Sequence, residues 1–313
     1  MNSTSSGAAV IAVILMVAGC GDGGTASPTV APAADSTLTS AADATVAPPP
    51  DSTATTSTGH AGPGEPWFND RIEVAEGRLL KATCYGTGSP AVIYLHGMIQ
   101  PTDSVSWAHA PEMQQRIGTQ TTYCEYERTN VGRSSGQEGP IPVSETVTDL
   151  HALVEELGLE TPVVLLGGSF GGLVAYTYAG TYPDDVAGVV LLDPTLQDEL
   201  ALDQLLPEEW RLPEDAWKDS KEQIDHYGAY DIAQSALDGI PDVPGTIFVT
   251  EVLGGPPGED GDELRQAIRD QQQALIGRFD PSQTITMDVP HTMMSVIPEE
   301  IAAAVLEIVA AAP

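Results

Sequence analysis

The sequence predicts an α/β domain with a mostly parallel, doubly wound sheet. Short runs of Val, Leu and Ile recur along the chain, and longer segments with apolar residues at helical spacing separate them. Strands that alternate with helices in this way imply parallel pairing and helices on both faces of the sheet. No internal repeat and no second long apolar segment interrupts the pattern, so residues 67–313 are expected to form one domain.

The elements follow in order. The strands are expected at residues 79–85, 91–95, 121–126, 163–166, 189–192, 246–250 and 284–289, and the helices at 146–157, 170–182, 263–276 and 298–311. Between the fifth and sixth of these strands, residues 195–242 are acidic and irregularly helical, with Trp and Tyr residues among them. We expect this insertion to form a cap over the substrate pocket of the domain and to determine which substrate enters it.

The first 66 residues are predicted to lie outside the domain. Residues 8–18 are apolar and uncharged, too short for a membrane span but typical of a signal-peptide core. The run ends in a Val-Ala-Gly-Cys sequence that resembles the lipobox of bacterial lipoproteins, which predicts a signal peptide over residues 1–19 and a lipid on Cys20. Residues 20–66 are rich in Ala, Thr, Ser and Pro, a composition that predicts a disordered linker. The alternative is a secretory signal with an incidental cysteine.

The remaining cysteines are expected to pair. If Cys20 carries a lipid, Cys84 and Cys124 are left as an even number in an oxidising compartment, which favours a disulfide over two buried free thiols. The signal peptide and the lipid together predict an extracytoplasmic protein anchored in the bacterial cell envelope, or otherwise a secreted one.

The charge of the chain excludes several classes of partner. Its 45 acidic and 12 basic residues give a formal net charge of −33, which opposes binding to nucleic acid and to anionic membrane surfaces. We therefore expect contact with the membrane through the lipid anchor alone. No set of His, Cys and carboxylate residues has the spacing of a metal site, and no glycine-rich segment is a phosphate loop, so neither a metal nor another cofactor is expected.

A Gly-x-Ser-x-Gly turn centred on Ser169 is the most informative motif. It follows the apolar strand 163–166 directly and precedes a helix, the context in which this motif presents a serine nucleophile at the edge of a sheet. Gly167 and Gly171 remove side chains where strand and helix pack closely. The alternative is a tight strand–helix turn with no catalytic role.

The chain as a whole resembles the α/β-hydrolase superfamily. The resemblance rests on His96-Gly97, the Glu127-Arg128 to Arg133-Ser134 loop, the Gly-x-Ser-x-Gly turn and a late His291, and it covers the chain after Trp67. It implies the α/β-hydrolase fold with a helical cap insertion. The match is close to a group of secreted or lipid-anchored bacterial members that carry a cysteine on each of two early strands. In that fold these two strands are neighbours, which supports the disulfide.

The resemblance also implies a catalytic triad. His291 follows the last strand, where the family carries its catalytic histidine, and we expect it to act as general base and then general acid for Ser169. Two carboxylates remain open as its partner. Asp193 directly follows the strand that comes after the helix 170–182, although Asp193-Pro194 also fits a helix N-cap. Glu251 directly follows the next strand. We favour Asp193.

These expectations amount to a serine hydrolase that cleaves a carboxylic ester or a related acyl bond of a small molecule through an acyl-enzyme. The backbone amides of Met98 and Phe170 are expected to stabilise the oxyanion. A carboxylesterase-like or lipase-like activity fits best. Two alternatives stay open: a peroxidase-like or carbon–carbon hydrolase with the same triad, and a non-catalytic binding lipoprotein of the envelope on a hydrolase scaffold.

Overall fold

A computed structural model describes residues 64–251, 253 and 258–312 of the chain. They contain an eight-stranded sheet in the order β1-β2-β4-β3-β5-β6-β7-β8. β2 pairs antiparallel with both β1 and β4, and all the other neighbours pair parallel. The strands are β1 Phe68–Ala75, β2 Arg78–Tyr85, β3 Val92–Leu95, β4 Tyr123–Glu127, β5 Val163–Gly168, β6 Val186–Leu192, β7 Gly245–Thr250 and β8 Ser282–Met287. The predicted mostly parallel sheet is confirmed.

Helices cover both faces of the sheet. They are α1 Pro111–Ile117, α2 Val143–Glu156, α3 Phe170–Thr181, α4 Glu199–Gln204, α5 His226–Ala236, α6 Glu259–Ile276 and α7 Pro298–Ala311. Because successive residues of a strand point to opposite faces, Val163 and Leu165 pack in the apolar core beneath α2 and α3, whereas Val164 and Leu166 pack beneath α1 and α7. The sheet is therefore doubly wound, as the sequence predicted.

A disulfide joins the two early strands. Cys84 on β2 lies directly opposite Cys124 on β4 in the antiparallel register, with their Cα atoms 4.1 Å apart. The predicted bridge is present, and it fastens the antiparallel edge of the sheet to the parallel part.

Two elements were not predicted from the sequence. β1 is an edge strand with mostly exposed or half-buried residues, so it lacks an apolar run. α1 is short and begins at Pro111, where proline fits the first turn of a helix. β1 carries only an interrupted alternation, in which Phe68, Ile72 and Val74 pack on the core, and α1 is too short to show a helical period.

The predicted insertion packs against the body of the domain. It contains α4 and α5, and α5 packs against α3 and α2 on one face of the sheet. An isolated parallel bridge between Ile141 and Ile224 adds a backbone connection ahead of α2. Part of the insertion therefore packs against α3, the helix that follows Ser169, and against α2.

The signal peptide, Cys20 and nearly all of the predicted linker lie outside the described residues. None of the helices in the described part of the chain is long and apolar enough to cross a membrane.

Candidate active site

Ser169 occupies a strained turn between β5 and α3. Its backbone has φ 51° and ψ −121°, a conformation that non-glycine residues rarely adopt. The neighbouring glycines make the turn possible: a Cβ at Gly167 would lie 2.5 Å from the carbonyl oxygen of Gly171, and one at Gly171 would collide with the carbonyl oxygen of Leu95. Strain of this kind persists where the surrounding structure enforces it, and here it presents the serine at the carboxyl edge of the sheet.

His291 and Asp193 are brought together from distant parts of the chain. The Nδ1 atom of His291 lies 2.7 Å from Oδ2 of Asp193, whose side chain is fully buried at the end of β6. The backbone N–H of Asp193 donates to the carbonyl of Phe248, which fixes the carboxylate relative to β7. Because Nδ1 faces the carboxylate, Nε2 is the imidazole nitrogen left to accept a proton from a nucleophile.

The alternative acid is placed differently. Glu251 follows β7 and is exposed, and its backbone N–H donates to the carbonyl of Met287. The carboxylate in contact with the imidazole is that of Asp193, so the geometry favours Asp193 as the partner of His291. Its catalytic role remains a prediction.

The expected oxyanion donors flank the serine. Phe170 follows Ser169 directly and begins α3, so its N–H belongs to the unpaired first turn of that helix. Met98 follows the His96-Gly97 turn, where a Cβ on Gly97 would lie 3.4 Å from the Cβ of Ser169. Both amides are therefore next to the nucleophile in the chain or in space.

Ser169 and His291 line one cavity of about 350 Å³. Its walls come mainly from two segments, the connection between β3 and α1 and the turn after β8. These two segments contribute the side chains of Met98, Trp107, His109, Met293 and Met294, and α1 adds Glu112. Among the described residues that line this cavity, none belongs to the insertion 195–242. The role of the insertion as a cap stays a prediction.

The wall of the cavity carries a charged histidine that the sequence analysis did not single out. His109 lies between two strand carboxylates, with Nδ1 2.8 Å from Glu125 and Nε2 3.1 Å from Glu127. Hydrogen bonds to these two carboxylates raise the pKa of His109 to about 9, against the opposing effect of burial. The sequence feature that could have indicated this cluster is the spacing of Glu125 and Glu127, because residues two apart in a strand point to the same face of the sheet.

A second titrating group lies close to Asp193 and His291. Glu199, at the start of α4, accepts a hydrogen bond from the N–H of Leu196. Burial, and to a lesser extent the negative charge of Asp193, raises the pKa of Glu199 to about 7 against the opposing effects of the Leu196 hydrogen bond and of His291. This carboxyl therefore changes its charge near neutral pH.

Comparison with known proteins finds partial matches to a family model and to curated proteins. A family model described as alpha/beta hydrolase fold matches residues 90–222. Lipase LipV from Mycobacterium tuberculosis (strain ATCC 25618 / H37Rv) is 46% identical over 57 residues, which make up 18% of this chain and 22% of LipV. The chain thus spans about a fifth of the length of the first curated relatives that it matches.

Solved structures are similar over a much larger share of the chain. Est1E from Butyrivibrio proteoclasticus with ferulic acid bound has 17% sequence identity and a TM-score of 0.56, and the match covers 77% of this chain and 99% of Est1E. The esterase EaEST from Exiguobacterium antarcticum has 16% identity and a TM-score of 0.51, over 78% of this chain and all of EaEST. At these identities the likeness is one of fold.

Proposed function

We propose, given that this chain has the α/β-hydrolase fold, that it is a serine hydrolase that cleaves a carboxylic ester or a related acyl bond. The observation that carries the proposal is a strained, glycine-flanked Ser169 in the same cavity as His291, whose imidazole is held by a buried Asp193. The similarity to a lipase and to an esterase supports hydrolytic activity.

The reaction would proceed in two halves. Oγ of Ser169 attacks the carbonyl carbon while Nε2 of His291 takes the hydroxyl proton, and the carbonyl electrons move onto oxygen. The amides of Met98 and Phe170 stabilise that oxyanion. The intermediate then collapses with loss of the alcohol, which receives the proton from His291, and leaves an acyl group on Ser169. Water, activated by the same imidazole, attacks the acyl group and releases the acid and the free serine.

The walls of the cavity favour an uncharged acyl or alcohol group of modest size. A volume of about 350 Å³ lies at the small end of ligand pockets. Methionine and tryptophan side chains supply adaptable apolar contacts. Asp103 and Glu112 add negative charge at the wall, and the charge of His109 is already matched by its two glutamates, so an anionic substrate would be repelled.

We further propose that the protein works outside the cytoplasm, held at the bacterial envelope by a lipid on Cys20. The Cys84–Cys124 disulfide supports an oxidising compartment. The lipobox-like sequence and the linker composition support the anchor.

The test is hydrolysis of p-nitrophenyl esters of increasing acyl length by the full chain, with Ser169→Ala as the control. We expect turnover by the wild type, loss of at least about 1,000-fold in the variant, and covalent labelling of the wild type alone by a fluorophosphonate. A wild-type protein with neither turnover nor labelling would contradict the proposal and favour the non-catalytic binding protein. Labelling together with activity on carbon–carbon or peroxide substrates alone would favour the related chemistries.

A further inference from the structure

A buried ion pair lies behind the loop that carries the Met98 amide, and the mechanism above assigns it no role. Arg128 follows β4 and its side chain is 2% exposed, while Glu222 belongs to the insertion and its side chain is 0% exposed. The pair is bidentate: Nε of Arg128 lies 2.6 Å from Oε2 of Glu222, and Nη2 lies 2.9 Å from Oε1. Burying two charges costs considerable desolvation energy, and an apolar pair of similar size is often as stable, so stability alone is a weak reason for this pair.

The guanidinium also binds the backbone of the loop. Nη1 of Arg128 donates to the carbonyl of His96 at 2.6 Å, and Nη2 donates to the carbonyl of Gly97 at 2.8 Å. Nδ1 of His96 lies 2.7 Å from the same Gly97 carbonyl. Burial and the nearby charge of Arg128 hold the pKa of His96 well below its usual value, so the ring is neutral and its Nδ1–H donates to that carbonyl.

These contacts determine the direction of the Met98 N–H. The carbonyl of Gly97 and the N–H of Met98 belong to one planar trans peptide unit, in which the two groups point in opposite directions. Two donors on the Gly97 oxygen therefore fix the orientation of the Met98 amide. On the other side of Met98, the N–H of Ile99 donates to Oε1 of Glu222 at 2.8 Å. The peptide units on both sides of Met98 are thus tied to the ion pair.

Arg128 also contacts the residue that supplies the second amide. The guanidinium carbon lies 5.3 Å from the ring centroid of Phe170, within the range of a cation–π contact. The Arg128 side chain consequently contacts the ring of Phe170 and the carbonyl of the peptide unit that carries the Met98 N–H.

We propose that Arg128 and Glu222 are positioning residues that hold the Met98 and Phe170 amides in the geometry needed to stabilise the oxyanion. The proposal rests on the serine hydrolase function proposed above. It also connects the insertion to catalysis, because Glu222 belongs to the insertion and accepts the hydrogen bond from the N–H of Ile99, next to Met98. A positioned amide contributes mainly in the transition state, so its loss lowers kcat more than it changes KM.

The first experiment compares Glu222→Gln with the wild type in the full chain, using the p-nitrophenyl ester that the wild type cleaves best. We expect kcat to fall about 10- to 100-fold while KM changes less than about threefold. The inhibition constant of an alkyl boronic acid, which mimics the tetrahedral intermediate, should rise by about the same factor as kcat falls. A kcat within twofold of the wild type would overturn the proposal.

A matched control separates positioning from general stability. Asp149→Asn breaks a different ion pair, which is partly buried between β2 and α2 and away from the cavity. In this pair Arg78 lies 2.6 Å from Asp149. We expect this variant to lower the unfolding temperature but to leave kcat unchanged. If it lowers kcat as much as Glu222→Gln does, the effect is a general loss of stability and the proposal fails.

A second variant covers the case in which Glu222→Gln does not fold. The double variant Arg128→Met/Glu222→Met removes both charges and keeps the volume, so its unfolding temperature should approach that of the wild type. We expect its kcat to remain at least about tenfold low. A kcat that recovers with the stability would make the pair purely structural. Absence of turnover and of fluorophosphonate labelling in the wild type itself would instead defeat the proposed function, and the positioning role with it.

Discussion

His291 contacts Asp193 through a 2.7 Å hydrogen bond, although 98 residues separate them in the chain. The two residues follow different strands of a parallel sheet, β8 and β6, whose carboxyl ends lie at the same edge. Such an edge is where open α/β sheets bind ligands. The contact therefore predicts which of two carboxylates matters for activity.

Replacing Asp193 by Asn should lower kcat by about 10⁴-fold with little change in KM, because the amide no longer holds the imidazole in the required tautomer. Ester hydrolysis at neutral pH measures the effect. Glu251→Gln is the matched control, since Glu251 is exposed at the end of the adjacent strand, and it should retain full activity. The reverse pattern would make Glu251 the catalytic acid.

The disulfide should contribute about 3–4 kcal/mol to the free energy of unfolding. Its cysteines are 40 residues apart, and a bridge across a loop of that length removes considerable entropy from the unfolded chain. Chemical unfolding of Cys84→Ala/Cys124→Ala beside the oxidised wild type measures the difference. The variant should keep ester turnover at room temperature, because the bridge lies on β2 and β4 while Ser169 lies after β5. A difference below about 1 kcal/mol would contradict the prediction.

The elements that carry the triad could be predicted because each has a strong local signal. The strand before Ser169 is an unbroken apolar run, and the glycines around the serine are required by contacts closer than a Cβ allows. Asp193 and His291 could be predicted from the ends of their strands, together with the family resemblance. β1 escaped prediction because an edge strand with exposed residues has no apolar run.

The cavity wall and the ion pair could not be predicted, because they depend on contacts between distant segments. Arg128 and Glu222 are 94 residues apart and neither lies in a periodic pattern. The composition of the insertion does not determine which residues it contacts, so the position of Glu222 beside Arg128 could not be predicted. Likewise, the spacing of Glu125 and Glu127 indicated a shared face without indicating that His109 would lie against it.

Trp107 should select for longer acyl chains. It lines the cavity and is 57% exposed, so its ring is available to cover an apolar chain. Trp107→Ala should raise KM for p-nitrophenyl octanoate about tenfold, corresponding to the loss of about 1.4 kcal/mol of apolar contact, and should leave KM for the acetate nearly unchanged. The matched control is Val296→Ala, which truncates an exposed apolar side chain that is not part of the cavity wall. Equal effects of the two variants on KM would remove Trp107 from the substrate site.

Glu199 should make the protein less stable as the pH rises from about 4.5 to 7. Its pKa is about 7 in the folded state and near its ordinary value in the unfolded chain, so the folded state retains a proton that the unfolded state releases. The stabilisation is complete below pH 4.5 and is lost as the pH rises through 7. Glu199→Gln should remove about 3 kcal/mol of this pH dependence, measured by urea unfolding at pH 4.5 and pH 7.5. Glu307→Gln, an exposed glutamate on α7, should leave the dependence intact.

His109 should contribute stability that is lost at higher pH. Its pKa of about 9 in the folded state exceeds the ordinary value of about 6.5, because Glu125 and Glu127 bind the charged ring. The contribution is therefore complete below pH 6.5 and disappears as the pH rises through 9. Solvent screening of this half-buried ring reduces it to about 1–2 kcal/mol.

Urea unfolding of His109→Gln at pH 6 and pH 9.5 measures that contribution. The variant should be less stable than the wild type at pH 6, where the two glutamates lose their counterion, and the difference should shrink by about 1–2 kcal/mol at pH 9.5. His151→Gln provides a second half-buried histidine, which packs on Tyr182 away from the cavity, and it should retain the wild-type loss of stability above pH 6.5. If the difference in stability between His109→Gln and the wild type is the same at both pH values, the two glutamates do not raise the pKa of His109. The charge of the cavity wall must then be assigned differently.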